Sequence, residues 1–251
     1  MDNKDIQKEE TIKKNDKKDN AFVGFIKEEL AGWKRFNVIW LVFATAVILG
    51  LSLYWGDTLV SIIAAVTGVW CVILTGQGKR SAFLWGMINV IFYIIVAMQA
   101  KYYGEVMLNA VYYIPMNVVG WFAWKKHMNP ENGEVKKERL SFKKGTIIYA
   151  LTAVAIFGYG LVLKALGGNL PFIDSMSTVV SITAQILSVK RLTEQWILWI
   201  VVDVVTVIMW GVNFAQGGET IATLAMWSIY LINAFIMFYR WNKEAKECDT
   251  K

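Results

Sequence analysis

Apolar residues fall in eight blocks, at 36–54, 58–76, 82–100, 106–124, 146–164, 172–189, 195–214 and 220–239, separated by short polar or charged connections. A helix of about 20 residues spans the ~30 Å hydrocarbon layer of a bilayer. The pattern therefore predicts an all-α integral membrane protein with eight transmembrane helices. Residues 1–35 are polar and mixed in charge, with nine Lys or Arg against eight Asp or Glu. No apolar core follows a short basic start, so this stretch does not read as a cleavable signal. It is expected to be a largely disordered cytoplasmic tail with a short amphipathic helix at 22–30.

Composition agrees with burial in lipid. The 251 residues are 56% apolar, with 12 Trp, 13 Phe and 10 Tyr but only 3 Pro. A collagenous, disordered or disulfide-stapled chain is excluded. Cys71 lies in an apolar run, Cys248 in the tail and the lone His127 in a charged loop, so neither a bridge framework nor metal-ligand spacing exists. No cofactor is expected. The net charge of +6 could suggest nucleic acid, but the 26 Lys and Arg lie almost wholly between the apolar blocks. Alternating the connections across a membrane puts 24 of them on one side and only Lys101 and Lys164 on the other. By the positive-inside rule both termini are expected in the cytoplasm, and no nucleic-acid partner is expected.

The chain also repeats itself. A shift of 114 residues lays Trp85 on Trp199, Asn89 on Asp203, Gly104 on Gly218, Glu105 on Glu219 and Tyr113 on Trp227, and Lys79-Arg80 falls near Lys190-Arg191. Four helices per period leave the two copies parallel. The expected plan is an extra N-terminal helix (36–54), a three-helix bundle (58–124), a basic cytoplasmic loop (125–145), a linker helix (146–164), a second three-helix bundle (172–239) and a cytoplasmic tail (240–251). This 3+1+3 parallel repeat resembles the SWEET sugar transporters, in which the pathway follows the pseudo-twofold axis.

Polar residues within the spans are the places to look for chemistry, because each costs free energy in hydrocarbon unless it is paired or faces a cavity. Asp203 is the strongest, since an ionised carboxylate at mid-span costs about 2.5 to 3.5 kcal/mol. Trp196, Trp199, Asp203, Thr206 and Trp210 share one helical face. Trp85 and Asn89 form the matching stripe in the first bundle, beside Asn109 with Tyr113 adjacent. Gln185, Trp227 and Tyr230 complete the candidate site. Each has a plainer reading. Asn, Gln and Thr often serve only as interhelical hydrogen-bond partners, and Asp203 could be locked to Asn89 or to an indole. Trp33, Trp40, Trp55, Trp121, Trp124 and Trp241 read as interfacial belt residues. Glu105 and Glu219 read as helix-start residues favoured by the dipole.

The stretch LWGMINVIFYIIVAMQAKYYGEVMLNAVYYIPMNVVGWFAW, followed later by KRLTEQWILWIVVDVVTVIMW, resembles the PnuC family of nicotinamide riboside transporters, over roughly 58–241. The resemblance implies a SWEET-like fold in a bacterial inner membrane and facilitated diffusion of nicotinamide riboside, a vitamin B3 precursor for NAD biosynthesis. It also implies a functional link to a cytoplasmic riboside kinase that traps the substrate by phosphorylation. The extra helix at 36–54 exceeds the family's seven-helix core.

The residues suit such a ligand independently, although they do not name it. A cationic pyridinium ring favours an aromatic face, worth ~0.5 to 2 kcal/mol in cation–π attraction, and Trp85, Trp196, Trp199 and Tyr113 offer one. Asn89, Asn109, Gln185 and Asp203 suit ribose hydroxyls and a carboxamide. A mononucleotide would instead require Arg or Lys, and no mid-span position has one. No Walker loop is present, since Ile73 and Arg80 break the pattern around Gly78-Lys79. An enzyme would need a nucleophile with a base or a metal cluster, so none is expected. A facilitator of another small neutral solute, such as a sugar or nucleoside, and a non-transporting membrane receptor remain open, as does a homo-oligomer.

Overall fold

A computed structural model describes residues 23–166, 171–217 and 221–249, and among them every regular element is a helix. A short helix at 23–30 (α1) precedes α2 (Arg35–Trp55), α3 (Leu59–Gln77), α4 (Ala82–Gln99), α5 (Tyr103–Lys125), α6 (Phe142–Ala165), α7 (Pro171–Val189), α8 (Gln195–Ala215) and α9 (Ile221–Asp249). All of these but α1 and α7 are long and apolar enough to cross a membrane; α7 carries a shorter apolar stretch, Ser175–Val189. Residues 1–22 of the expected 1–35 tail and the expected partners Gly218 and Glu219 lie outside the described residues.

Six helices close into a ring. Contacts run from α3 to α4, α4 to α5, α5 to α7, α7 to α8, α8 to α9, and α9 back to α3. Helix α2 lies outside the ring against α3 and α9, and α6 lies outside it against α7. The buried apolar side chains accordingly form three separate clusters around the ring rather than one central core. Helix α6 is the least buried span, and its outward Leu151, Val154 and Phe157 are exposed, as befits a surface whose solvent is lipid.

Two turns at the loop side of the ring share one design. Helix α3 ends at Gly78, whose φ of 81° is left-handed, and the Lys79 amide reaches back to Leu74 O at 2.9 Å. Helix α7 ends with Arg191 at φ 63°, and the Leu192 amide reaches Leu187 O at 2.9 Å. The 6→1 bond satisfies a carbonyl that the helix end leaves open. The 125–145 loop hooks both turns: Val135 N donates to Gly78 O at 2.8 Å and Glu138 N donates to Arg191 O at 2.9 Å. Helix α9 runs unbroken to Asp249, ten residues past the apolar block, because its last turns pack on this loop. Trp241 there is fully buried, and Lys137 pairs with Glu244.

Candidate functional site

The ring encloses a cavity of about 110 Å³. Every helix of the ring contributes to its wall, and neither α2 nor α6 does. Of the expected site residues, Asn89 (α4), Asn109 and Tyr113 (α5), Gln185 (α7), Trp196, Trp199 and Asp203 (α8), and Trp227 and Tyr230 (α9) all line it. Trp85 does not. It packs edge-on against Trp70 of α3, ring centroids 4.5 Å apart, whereas Asn89, one turn further along and also against α3, borders the cavity.

The aromatic walls come from both halves of the chain. Tyr113 and Trp199 lie 6.5 Å apart with planes inclined by 35°, and Trp227 meets Tyr230 at 5.0 Å and Tyr93 at 6.0 Å. Trp196 is almost fully buried and its indole N–H has no protein partner. In a cavity wall it is a donor available to a ligand acceptor. Asn89 is not held by Asp203: its Nδ2 donates to Ala64 O at 2.8 Å, with Met226 Sδ at 3.7 Å. Asp203 is 2% exposed on the cavity wall.

Helix α5 changes pitch at the site. Residues Leu108–Tyr113 form a π-helical stretch, and Ile114 N reaches Asn109 O, one residue beyond the α-helical partner. Pro115 explains it, because a proline ring clashes with the carbonyl four residues back and has no N–H to offer. Widening to i→i+5 bonding relieves the clash and rotates Asn109 and Tyr113 onto the cavity wall. Asn109 Nδ2 donates to Glu105 O at 2.8 Å, and Tyr112 Oη donates to Ile182 O of α7 at 2.8 Å. Pro115 in the middle of an apolar block was the available sequence signal for this distortion.

Four further expectations from sequence need correction. Glu105 is no mere helix-start residue, for it lines the cavity; the first turn of α5 lies over the site. Trp124 and Trp241 are not interfacial belt residues. Both are fully buried, with Trp124 Nε1 donating to Ser188 O at 3.1 Å and Trp241 Nε1 to Gly76 O at 2.7 Å. Because Trp124 ends α5 and meets α7, while Trp241 extends α9 and meets α3, each indole ties a last helix of one group to the first helix of the other. Trp40 likewise donates to Asn233 Oδ1 at 3.1 Å, fastening α2 to α9.

The loop side below the cavity is shut by buried cations. Lys79 is fully buried and its Nζ donates to Glu28 O at 3.0 Å, Ala31 O at 2.7 Å and Asn132 O at 3.1 Å. Arg80 lies over the rings of Phe25 at 5.0 Å and Trp121 at 4.4 Å. Glu29 accepts from Ser81 N at 3.0 Å and Ser81 Oγ at 2.5 Å. Burial pushes the Glu29 carboxyl above its usual range, against the downward pull of the Ser81 bonds and the Lys79 charge. Burial likewise lowers the Lys79 ammonium, opposed by the carboxylates of Glu29, Glu134 and Glu28. Thus α1, the loop and the end of α3 form one polar plug.

Residues 58–243 match the family model described as nicotinamide mononucleotide transporter. The nicotinamide riboside transporter PnuC of Neisseria mucosa is 36% identical over 240 residues, covering 94% of this chain and 91% of that protein. The Haemophilus influenzae transporter of the same name is 31% identical, covering 88% and 95%, and that of Escherichia coli is 27% identical, covering 74% and 83%. A crystal structure of the vitamin B3 transporter PnuC superposes with a TM-score of 0.81 at 36% identity, covering 90% of this chain and 98% of that one.

Proposed function

Since the chain belongs to the PnuC family of multi-pass nicotinamide riboside transporters, we propose that it is a passive facilitator of that riboside across a bacterial inner membrane. Both termini lie in the cytoplasm, and a cytoplasmic riboside kinase traps what enters. The ligand binds in the central cavity against Asn89, Asn109, Tyr113, Gln185, Trp196, Trp199, Asp203, Trp227 and Tyr230. Trp85 acts from behind, by packing.

One observation carries this reading. Among the described residues the cavity wall holds aromatic rings, neutral amides and hydroxyls, and the carboxylates of Glu105 and Asp203, with no Lys or Arg. That combination suits a flat cation bearing hydroxyls. It disfavours a phosphate, which would meet two acidic groups and no basic partner in a low-dielectric site. The riboside of the relatives' names is therefore the better substrate than the mononucleotide of the family model's name.

Transport follows from the ring. Helices α3–α5 and α7–α9 meet at α5 against α7 and at α9 against α3. Rocking of the two groups about these seams alternates access to the cavity, and ligand binding shifts the balance of states. No step needs a nucleotide or an ion gradient.

Counterflow in proteoliposomes tests this. Labelled nicotinamide riboside should exchange at equal pH on both faces, and an imposed pH gradient should produce no accumulation. Accumulation that Asp203→Asn abolishes would make the protein a proton-coupled transporter instead. A neutral nucleoside or sugar that displaces nicotinamide riboside at equal concentration would assign the cavity to another solute.

A further inference from the structure

A second concavity, of about 760 Å³, opens outward between α6 and α7 at the loop side. Its two ends differ in chemistry. One end carries Arg139, Lys144, Lys190 and Arg191; the other is a wall of aliphatic side chains including Ile147, Leu151 and Ile186. We propose that this groove binds an anionic phospholipid, its headgroup phosphate held by Arg139, Lys144 and Lys190 and an acyl chain laid along Ile147, Leu151 and Ile186.

The charges at the basic end are not spent within the protein. Arg191 is committed, with its guanidinium on Glu138 Oε1 at 2.6 Å and its Nε on Lys136 O at 3.1 Å. Glu138 is the sole carboxylate among the described lining residues and is used by that pair. The nearby Glu194 carboxylate accepts from Leu140 N through both oxygens at 3.1 Å. Arg139, Lys144 and Lys190 form no ion pair with any described residue, and all three are exposed. Three cations at one rim, with the local carboxylates already engaged, make a site of uncompensated positive charge.

The apolar end decides for a lipid over a free phosphate. Ile147, Leu151 and Ile186 are 49%, 63% and 39% exposed, which is costly in water and natural against an acyl chain. Lys144 and Leu151 stand two helical turns apart on α6, about 10 Å along the axis. That is the span from a headgroup phosphate into the upper chain region. Basic pockets between transmembrane helices at a membrane boundary draw anionic headgroups. The groove also touches the Arg191 turn that the 125–145 loop hooks, so a bound lipid would brace α6 against α7.

Native mass spectrometry on the full chain in a neutral detergent tests the proposal, with phosphatidylglycerol and phosphatidylcholine of identical chains as probes. Wild type should retain phosphatidylglycerol in preference. K144Q/K190Q should lose about fivefold in that affinity for each cation removed, approaching phosphatidylcholine. Unchanged retention in the double variant would overturn the proposal. So would displacement of phosphatidylglycerol by equimolar glycerol 3-phosphate, since the headgroup alone would then suffice. If the double variant is unstable, K190Q at its exposed turn gives the same reading with a single fivefold loss expected.

Discussion

Tyr113 of α5 and Trp199 of α8 stand across the central cavity with ring centroids 6.5 Å apart and planes inclined by 35°. Two carbon contacts at ~3.5 Å each would take up about that separation, so a small closure or opening of the pair would grip or free a flat ring. Trp199→Ala should weaken nicotinamide riboside binding by ~1 to 3 kcal/mol, read by calorimetry on purified protein. Trp85→Ala should leave affinity within twofold while lowering the melting temperature, because Trp85 packs on Trp70 away from the cavity. Equal losses of affinity in the two variants would defeat this assignment.

Gly68 allows α3 to approach the cavity wall closely. A methyl group there would overlap the Tyr230 hydroxyl and sit 2.6 Å from Asn89 Nδ2 and 2.7 Å from Met226 Sδ. Overpacking of this kind costs typically 1–3 kcal/mol. Gly68→Ala should therefore lower both stability and riboside affinity, and adding Tyr230→Phe should restore part of the stability. Lack of any recovery in the double variant would show that the Tyr230 hydroxyl is not what the methyl meets.

The polar plug should respond to pH through Glu29. Its folded carboxyl titrates above its unfolded value of 4.5, so the folded state holds the proton longer than the unfolded chain does. Stability from this group is full below about 4.5 and declines as pH rises through the folded value. Glu29→Gln keeps an acceptor for Ser81 and removes the titration. The difference in melting temperature between variant and wild type should grow in the variant's favour as pH rises from 4.5, then level off. A constant difference across pH would reject the role given to burial.

The 125–145 loop is expected to face the cytoplasm. Glu131, exposed at its tip, is a suitable labelling position. In cells, Glu131→Cys should resist an impermeant thiol reagent until the membrane is permeabilised. Labelling of intact cells would reverse the topology.

How much of this was legible beforehand divides by physical cause. Each apolar block became a helix, because in lipid a backbone must satisfy its own hydrogen bonds and length alone then marks a span. Asp203, Gln185 and Asn109 stood out because a polar group in hydrocarbon must have a reason. The extension of α9 to Asp249 is not legible in the sequence: its last turns are charged, and it is the loop, with Val135 against Trp241 and Lys137 paired with Glu244, that supports them. Trp85 and Trp199 look alike in sequence, yet only the packing of α4 on α3 turns one outward to Trp70 while α8 turns the other to the cavity. Glu105 reads as a helix-start residue because its dipole environment is local, whereas its place over the cavity depends on the ring. The buried Lys79 reads as one more loop cation until Glu28, Ala31 and Asn132, distant in sequence, bring their carbonyls to its ammonium. Periodicity and polarity along a helix are local quantities and were readable from the sequence. Which of two neighbouring faces meets a cavity, and which charges are buried, are set by contacts between helices far apart in the chain, and those only the tertiary structure decided.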